Sequence, residues 1–579
     1  MALAVGWLPA DELADEPAAT FFEPYKVPLV SVEVVVTDKD GNAIRGLTRE
    51  DFQVFEDGAP MEISHFFVSD PEVEVVDLAS FQDDLPENFR QEMYLALYFD
   101  DSNIDYQRRV SALNHLRDLL EKPLPSNVKA MLLRYDGSPH VESSFTDDTA
   151  QLVAAVERVM DEASVTGARG GEALVRRMQT VAESPRHELT SPMAGGGSPG
   201  TPQRFVNADP VDMKHIENSA FLPEIRAYAE SQYARNRASL EALDWFVNRM
   251  RVIRGRKAVV WVGDLEMRAG ENIFRTWRDL FSVQSSSQHI NPMMETMQYD
   301  LSREIRELVD RANNDRISFY TLSSPVTTMA GSTASSNRRI LSSSGRPGQQ
   351  GSQDIRGQDD ALLVMSDLSG GRMLSDNNQL DQQLVQVSEE LETYYSLGYT
   401  PPTPGDGEQH DIKVTVNRDG ARLRYRLSYR DSEPSDGTAD RTLVAGMLGV
   451  AENPFGITLE CQEQEAREDG NFLVPIMIRI PIGELVLLPE EGRHQAQISV
   501  YSVIFDEAGR SSKVHERAYP IEIENDQLLS AVEQEAKFVV GVVLEQGPHR
   551  VAVTVRDDRS SSESTAVVDV AVGDTEVAE

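Results

Sequence analysis

The stretch Met93-Tyr94-Leu95-Ala96-Leu97-Tyr98-Phe99 is an unbroken apolar run that stops at Asp100-Asp101. A strand with one wet face alternates apolar and polar residues. A run without polar interruption is buried on both faces, as in the centre of a parallel sheet. Such a sheet needs helices on both sides, and the flanking sequence supplies them. Val110, Leu113, Leu116 and Leu120 recur at helical spacing. Val128 to Tyr135 reads as the next strand, and Thr146 is placed to cap a helix carrying Leu152, Val153, Val156 and Val159. A long helix is predicted over Val211 to Met250, then a buried strand Lys257 to Val262 ending at Gly263-Asp264. A helix Leu301 to Asn313 and a strand Ile317 to Leu322 continue the alternation, which predicts a doubly wound α/β domain.

The surrounding chain reads differently. Val30, Val32, Val34 and Val36 alternate with outward positions, Thr48-Arg49-Glu50-Asp51 resembles a capping box, and Asp57-Gly58 is a hairpin turn. After a tail over 1–27, a small β-sandwich-like unit is therefore expected over 28–70, and the α/β domain over 92–400. Gly/Ser-rich disordered insertions are expected near 191–202 and 330–357. Helices return at Ala361 to Leu368 and Leu380 to Thr393. A strand pair over 401–430 completes either the N-terminal β unit or the α/β domain. Recurrent short strands over 441–575 predict an immunoglobulin-like β-sandwich.

Composition narrows the partners. A formal net charge of −40 repels phosphate backbones, which argues against nucleic acid. No apolar stretch reaches the ~20 residues of a membrane helix. Cys461 is the single cysteine, so neither an intramolecular disulfide nor a Cys-based metal site is available. The apolar Ala2 to Ala10 lacks a basic leader and makes a poor signal peptide as written.

Ligands of doubly wound sheets bind beyond the carboxyl ends of the strands. Asp100-Asp101-Ser102-Asn103 and Gly263-Asp264 occupy two such ends. Two carboxylates and a hydroxyl brought together there are hard oxygen donors suited to Mg²⁺, Mn²⁺ or Ca²⁺. Other patterns fail on chemistry. Gly196-Gly197-Ser198-Pro199-Gly200 spells a nucleophile elbow, but Pro199 has no N–H for an oxyanion hole. Asp38-x-Asp40-x-Asn42 has Ala43 and Arg49 where a calcium loop needs Gly and Glu. His410 and His549 begin predicted strands and read as structural or surface residues, and Tyr394, Tyr395 and Tyr399 as packing. No group of nucleophile, base and oxyanion donor stands out, so an enzyme is not expected.

Several segments in this order resemble the von Willebrand factor A (VWA) family, and more closely a bacterial VWA-related family. They are Val35-Val36-Thr37-Asp38-Lys39-Asp40-Gly41, Leu47-Thr48-Arg49-Glu50-Asp51-Phe52 and Phe55-Glu56-Asp57-Gly58, followed by Gly255 through Asp264 and Tyr394-Tyr395-Ser396-Leu397-Gly398-Tyr399. The resemblance covers about residues 28–430. It implies a VWA-like (Rossmann-like) domain with a metal-ion-dependent adhesion site that begins Asp-x-Ser-x-Ser. Asp100, Ser102 and Asp264 match the motif as direct ligands of Mg²⁺ or Mn²⁺, with Asp101 and Glu172 nearby. Ile104 stands where a second Ser is expected, and Glu172, in Gly170-Gly171-Glu172-Ala173-Leu174, stands where a Thr is expected. The resemblance also implies a protein or peptide partner and a periplasmic or extracellular setting. A metal-independent scaffold with a relic site is the alternative, and a hydrolase the remote one.

Overall fold

The computed structural model describes residues 29–70, 92–104, 106–125, 127–162, 170–183, 210–281, 292–323, 351–375, 380–403, 406–430, 437–490 and 492–573. The expected insertion near 191–202, the tail 1–27 and most of 330–357 lie outside them.

The chain begins with β1 (Val30–Thr37), β2 (Phe52–Glu56), β3 (Ala59–Met61) and β4 (His65–Ser69). The Asp51 carboxylate accepts from the Thr48 N–H at 2.8 Å and closes the single helical turn before β2. Asp57 and Gly58 both have positive φ (48° and 83°), the requirement of a tight two-residue hairpin between β2 and β3.

The α/β domain follows with β5 (Met93–Asp100), α1 (Tyr106–Leu120), β6 (Val128–Tyr135), β7 (Pro139–Thr146), α2 (Thr149–Asp161), α3 (Gly170–Glu183) and α4 (Pro210–Met250). It continues through β8 (Arg256–Val262), α5 (Glu271–Phe281), α6 (Pro292–Thr296), α7 (Ser302–Asn314), β9 (Ile317–Ser323), α8 (Gly351–Leu368), β10 (Arg372–Ser375) and α9 (Leu380–Glu392). The sheet order is β10-β9-β8-β5-β6-β7, parallel except for the edge strand β7. Every residue of β5 and β8 is buried. Alternate β5 residues serve two cores, as the strand period requires. Tyr94, Ala96 and Tyr98 pack with α4 residues such as Leu243 and Phe246, and Met93, Leu95, Leu97 and Phe99 pack with α1 and α2.

Two expectations about helix starts are corrected. Asp148, not Thr146, caps α2. Its carboxylate accepts from the N–H groups of Ala150 and Gln151, while Thr146 ends β7. A carboxylate at this position also meets the positive end of the helix dipole. Helix α8 begins at Gly351 rather than Ala361, so it overlaps the end of the segment expected to be disordered. Polar first turns do not reveal a helix to a pattern search.

After α9 come β11 (Tyr394–Tyr399), β12 (Gln409–Val416), β13 (Arg422–Arg424) and β14 (Ser428–Arg430). Residues 394–399 were expected to lie inside the α/β domain, yet they form β11, which pairs antiparallel with β1 and β4. Strand β12 pairs with β2 and β14. Two four-stranded sheets, β13-β1-β11-β4 and β14-β12-β2-β3, thus enclose a core that includes Val32, Val34, Phe52, Tyr395 and Tyr399. The chain segments 29–70 and 394–430 meet around the α/β domain inserted between them.

The C-terminal part opens with α10 (Thr438–Leu448). Nine further strands follow between Thr458 and Val572, all paired antiparallel. They form two sheets over one core that includes Ile476, Ile478, Ile498, Val553 and Val555. This is an antiparallel β-sandwich. Helix α10 joins it to the α/β domain: Val444 and Leu448 enter the α4 core, and Thr442 Oγ1 donates to Thr554 Oγ1 at 2.7 Å. Among the described residues no helix is long and apolar enough to cross a membrane.

One loop contact carries a pH signature. Asp300 accepts from the Ser302 N–H at 2.8 Å and from Arg268 Nε at 2.8 Å. Burial by itself would raise this carboxyl, but Ser302 and Arg268 outweigh it and the pKa is lowered. A group with a lowered folded-state pKa stabilises fully above its ordinary value of about 4, and that stability is lost as pH falls through the lowered value. Asp300→Asn is therefore expected to cost about 1 kcal/mol at neutral pH, with the difference from wild type closing in acid. Urea midpoints measured down the pH range check this. A gap that stays constant into acid contradicts it.

Candidate strand-end site

The site lies where the connections from the central strand diverge. β5 leads to β6 on one side, while β8, β9 and β10 extend the sheet on the other. The crevice at the carboxyl ends of β5 and β8 is therefore the topological switch point. The two loops touch: the Asp264 N–H donates to the Asn103 carbonyl at 2.9 Å. Gly263 permits this approach, because a Cβ there would sit 2.7 Å from Asp100 Cβ.

Asp100, the last residue of β5, is fully buried. Its Oδ1 accepts from the Ser102 N–H at 3.2 Å and the Ser102 hydroxyl at 2.7 Å. Its Oδ2 accepts from Asn103 Nδ2 at 3.2 Å and from the Ser239 hydroxyl. Burial raises its pKa despite these four donors. A desolvated carboxyl in this condition is stabilised in its charged form by any nearby cation.

Ser239 was not anticipated. It sits on α4, fully buried, 139 residues from its acceptor. Asn236, one turn earlier, is also buried and donates from Nδ2 to the Glu266 carbonyl at 3.2 Å. The only local signal is that both polar residues fall on the face of α4 that otherwise carries Leu240 and Leu243. Close by, Glu266 accepts from the Gly270 N–H at 2.9 Å, and burial, with Asp264 and Glu271 adding to it, raises its pKa. Tyr228 is pushed up to about 12, first by burial and then by Glu266.

The other expected residues fare differently. Asp264 reaches the crevice, but its Oδ1 receives Arg108 NH1 at 2.5 Å, and its side chain is 40% exposed. Asp101 does not join the site. Its carboxylate is fully buried and receives Arg109 Nε at 2.7 Å and Arg109 NH2 at 3.3 Å. Consecutive residues leave a strand end in opposite directions, and Asp101 takes the side of α1. Ile104 is 3% exposed and packs in the core with Phe99 and Leu113, so it offers no oxygen. Glu172 falls in the first turn of α3, and its side chain is outside the described residues.

The donor set fits a hard divalent cation. Asp100 and Asp264 supply carboxylates, and Ser102 and Ser239 supply hydroxyls, the oxygen chemistry that Mg²⁺ and Mn²⁺ take. The Ser239 hydroxyl lies on Asp100, whereas Ile104 brings no oxygen. The Arg108 guanidinium already pairs with the Asp264 carboxylate.

No family model matches the chain, and no curated protein matches it. Solved structures do match. The vWF domain of the type V pili tip protein Mfa5 from Porphyromonas gingivalis is 26% identical over 16% of this chain, with a TM-score of 0.12. The alignment spans 33% of that domain, well under two thirds of its length. The conserved hypothetical protein BatB from Bacteroides thetaiotaomicron is 11% identical over 51% of this chain and 95% of its own, with a TM-score of 0.18. The manganese-loaded TRAP protein from Plasmodium vivax is 9% identical over 59% of this chain and 95% of its own, with a TM-score of 0.20. At these TM-scores the likenesses carry no argument about fold or function.

Proposed function

We propose that this chain is a non-enzymatic binding protein of the VWA adhesion type. In this reading the crevice at the ends of β5 and β8 faces a protein or peptide partner outside the cytoplasm. The observation that supports it most is the Ser239 hydroxyl, delivered from α4 onto Asp100 beside Ser102. It restores an oxygen donor that the motif lacks. Asp100, Ser102, Ser239 and Asp264 would hold Mg²⁺ or Mn²⁺. A bound ion supplies an open coordination position suited to a partner carboxylate. The chain's own residues do the rest: Asn103 and Ser239 fix Asp100, Gly263 lets the loops close, and Arg108 governs access to Asp264. The C-terminal β-sandwich is read as immunoglobulin-like.

A metal-independent scaffold is the second reading, and the Arg108–Asp264 pair favours it, since a guanidinium already neutralises that carboxylate. Titration calorimetry of Mg²⁺ into chelator-treated full-length protein separates the two. Under the first reading wild type binds one ion, Ser239→Ala loses about tenfold or more in affinity, and Arg108→Met gains affinity. No saturable heat in wild type or in Arg108→Met leaves the metal-independent scaffold.

A further inference from the structure

We propose a second metal site, for a transition-metal dication such as Zn²⁺, at the joint of the N-terminal sandwich, with Glu56, Asp57 and His410 as its ligands. It lies in a different domain from the crevice and does not depend on the reading given for that crevice.

Glu56 ends β2, Asp57 opens the hairpin turn, and His410 lies on the paired strand β12. One ligand atom from each lies within 4.8 Å of the others. Glu56 and His410 are buried, while the Asp57 side chain is 56% exposed and leaves a way in from solvent. One imidazole nitrogen with two carboxylates is a set that Zn²⁺ accepts, with water completing the coordination. Mg²⁺ prefers oxygens alone.

The imidazole's two nitrogens carry the argument. Nδ1 lies 2.8 Å from Asp57 Oδ2 and 3.9 Å from Glu56 Oε1, and Nε2 lies 3.2 Å from Asp406 Oδ1. Carboxylates only accept, so a neutral ring satisfies one side and leaves a lone pair facing an anion on the other. A cation belongs between them, either a second proton or a metal ion. Glu56 argues for the greater charge. Among the described residues, the His410 ring, 3.9 Å away, is the one ion-pair partner of this buried carboxylate, and a buried charge is costly unless it is paired. Three carboxylates surround one ring.

The surroundings match what a ligated histidine needs. Asp406 holds the far ring nitrogen and is itself fixed by the Thr403 hydroxyl and the Glu408 N–H, both at 2.8 Å. The Tyr429 hydroxyl donates to Glu56 Oε2 at 2.9 Å, leaving Oε1 on the His410 side. The Tyr399 hydroxyl is fully buried beside Glu56 and Tyr429. The site also has a use. Asp57 and His410 are 353 residues apart, and an ion holding both would clamp the two chain segments from which the sandwich is built.

Zn²⁺ is titrated into chelator-treated full-length protein by calorimetry, with thermal unfolding followed in parallel. Wild type is expected to bind one Zn²⁺ here and to melt higher with it. His410→Ala should abolish the event, and Asp406→Asn should weaken it by about 10- to 100-fold. Asp57→Asn, on an exposed turn, provides a ligand variant that folds even if His410→Ala does not. Asp264→Ala should leave Zn²⁺ binding unchanged, which separates this site from the crevice. Equal Zn²⁺ heats in wild type, His410→Ala and Asp57→Asn would mean diffuse attraction to the acidic surface and would overturn the proposal. Absence of saturable binding in wild type would overturn it too and leave a doubly protonated imidazole as the clamp.

Discussion

Asp101→Ala is expected to destabilise the α/β domain by about 3–5 kcal/mol, the cost of leaving a buried charge without its partner. Arg109 is 2% exposed, and apart from Asp101 its guanidinium has the Val159 carbonyl, at 2.7 Å. Removing the carboxylate strands this cation between α1 and α2, where water cannot reach it. Trp245, Trp261 and Trp277 all lie in this domain, so the urea midpoint of tryptophan fluorescence reports its unfolding. Adding Arg109→Met should recover much of the loss, because an apolar side chain of similar length needs no counter-charge. Zn²⁺ or Mg²⁺ affinity per folded molecule should not change, since Asp101 faces away from the crevice. A loss below about 1 kcal/mol would show that the pair is solvated and the burial argument wrong.

Trp261→Ala is expected to cost a similar amount, about 3–5 kcal/mol, for a different reason. Trp261 is fully buried on β8, stacked on Tyr98 of β5 with ring centroids 4.9 Å apart and planes 14° apart. Removing the indole opens a cavity in the face that α4 covers, and the two parallel strands cannot move to fill it. Among the described residues the buried indole N–H has no hydrogen-bond partner, so Trp261→Phe gives up no hydrogen bond seen there and should cost far less than the alanine change. Circular dichroism with urea reads both variants, since Trp245 and Trp277 alone would under-report the local change. Equal losses in the Phe and Ala variants would mean that the indole ring is not what fills this space.

Much of the candidate crevice was legible, and the reasons are specific. Asp100 and Ser102 announced themselves because an apolar run ended on them, and Asp264 because it ended a second run. Asp101 looked equally eligible from its position, and only its pairing with Arg109 removes it. The contact of Ser239 with Asp100 was invisible in the sequence. A hydroxyl on a long helix has no local mark, and the carboxylate it serves is 139 residues away. The edge strand β7 was also missed. Pro139-His140-Val141-Glu142 alternates too weakly to stand out, which is how an edge strand with one solvated side reads.

Periodicity and turn chemistry in the amino-acid order were enough for the existence of the buried parallel strands, the long α4, the Asp57-Gly58 hairpin and the placement of Asp100 and Asp264 at strand ends. These depend on side chains a few residues apart. Pairing across the chain was not readable in the same way. β11 is a short apolar strand after a helix, and nothing within it says whether it joins β9 and β10 in parallel or β1 and β4 antiparallel. His410 looked like an ordinary strand-start residue until β12 was laid against β2 and its ring met Asp57 and Glu56. Register between strands hundreds of residues apart is set by how whole faces bury together, and that information is spread over both partners rather than written in either.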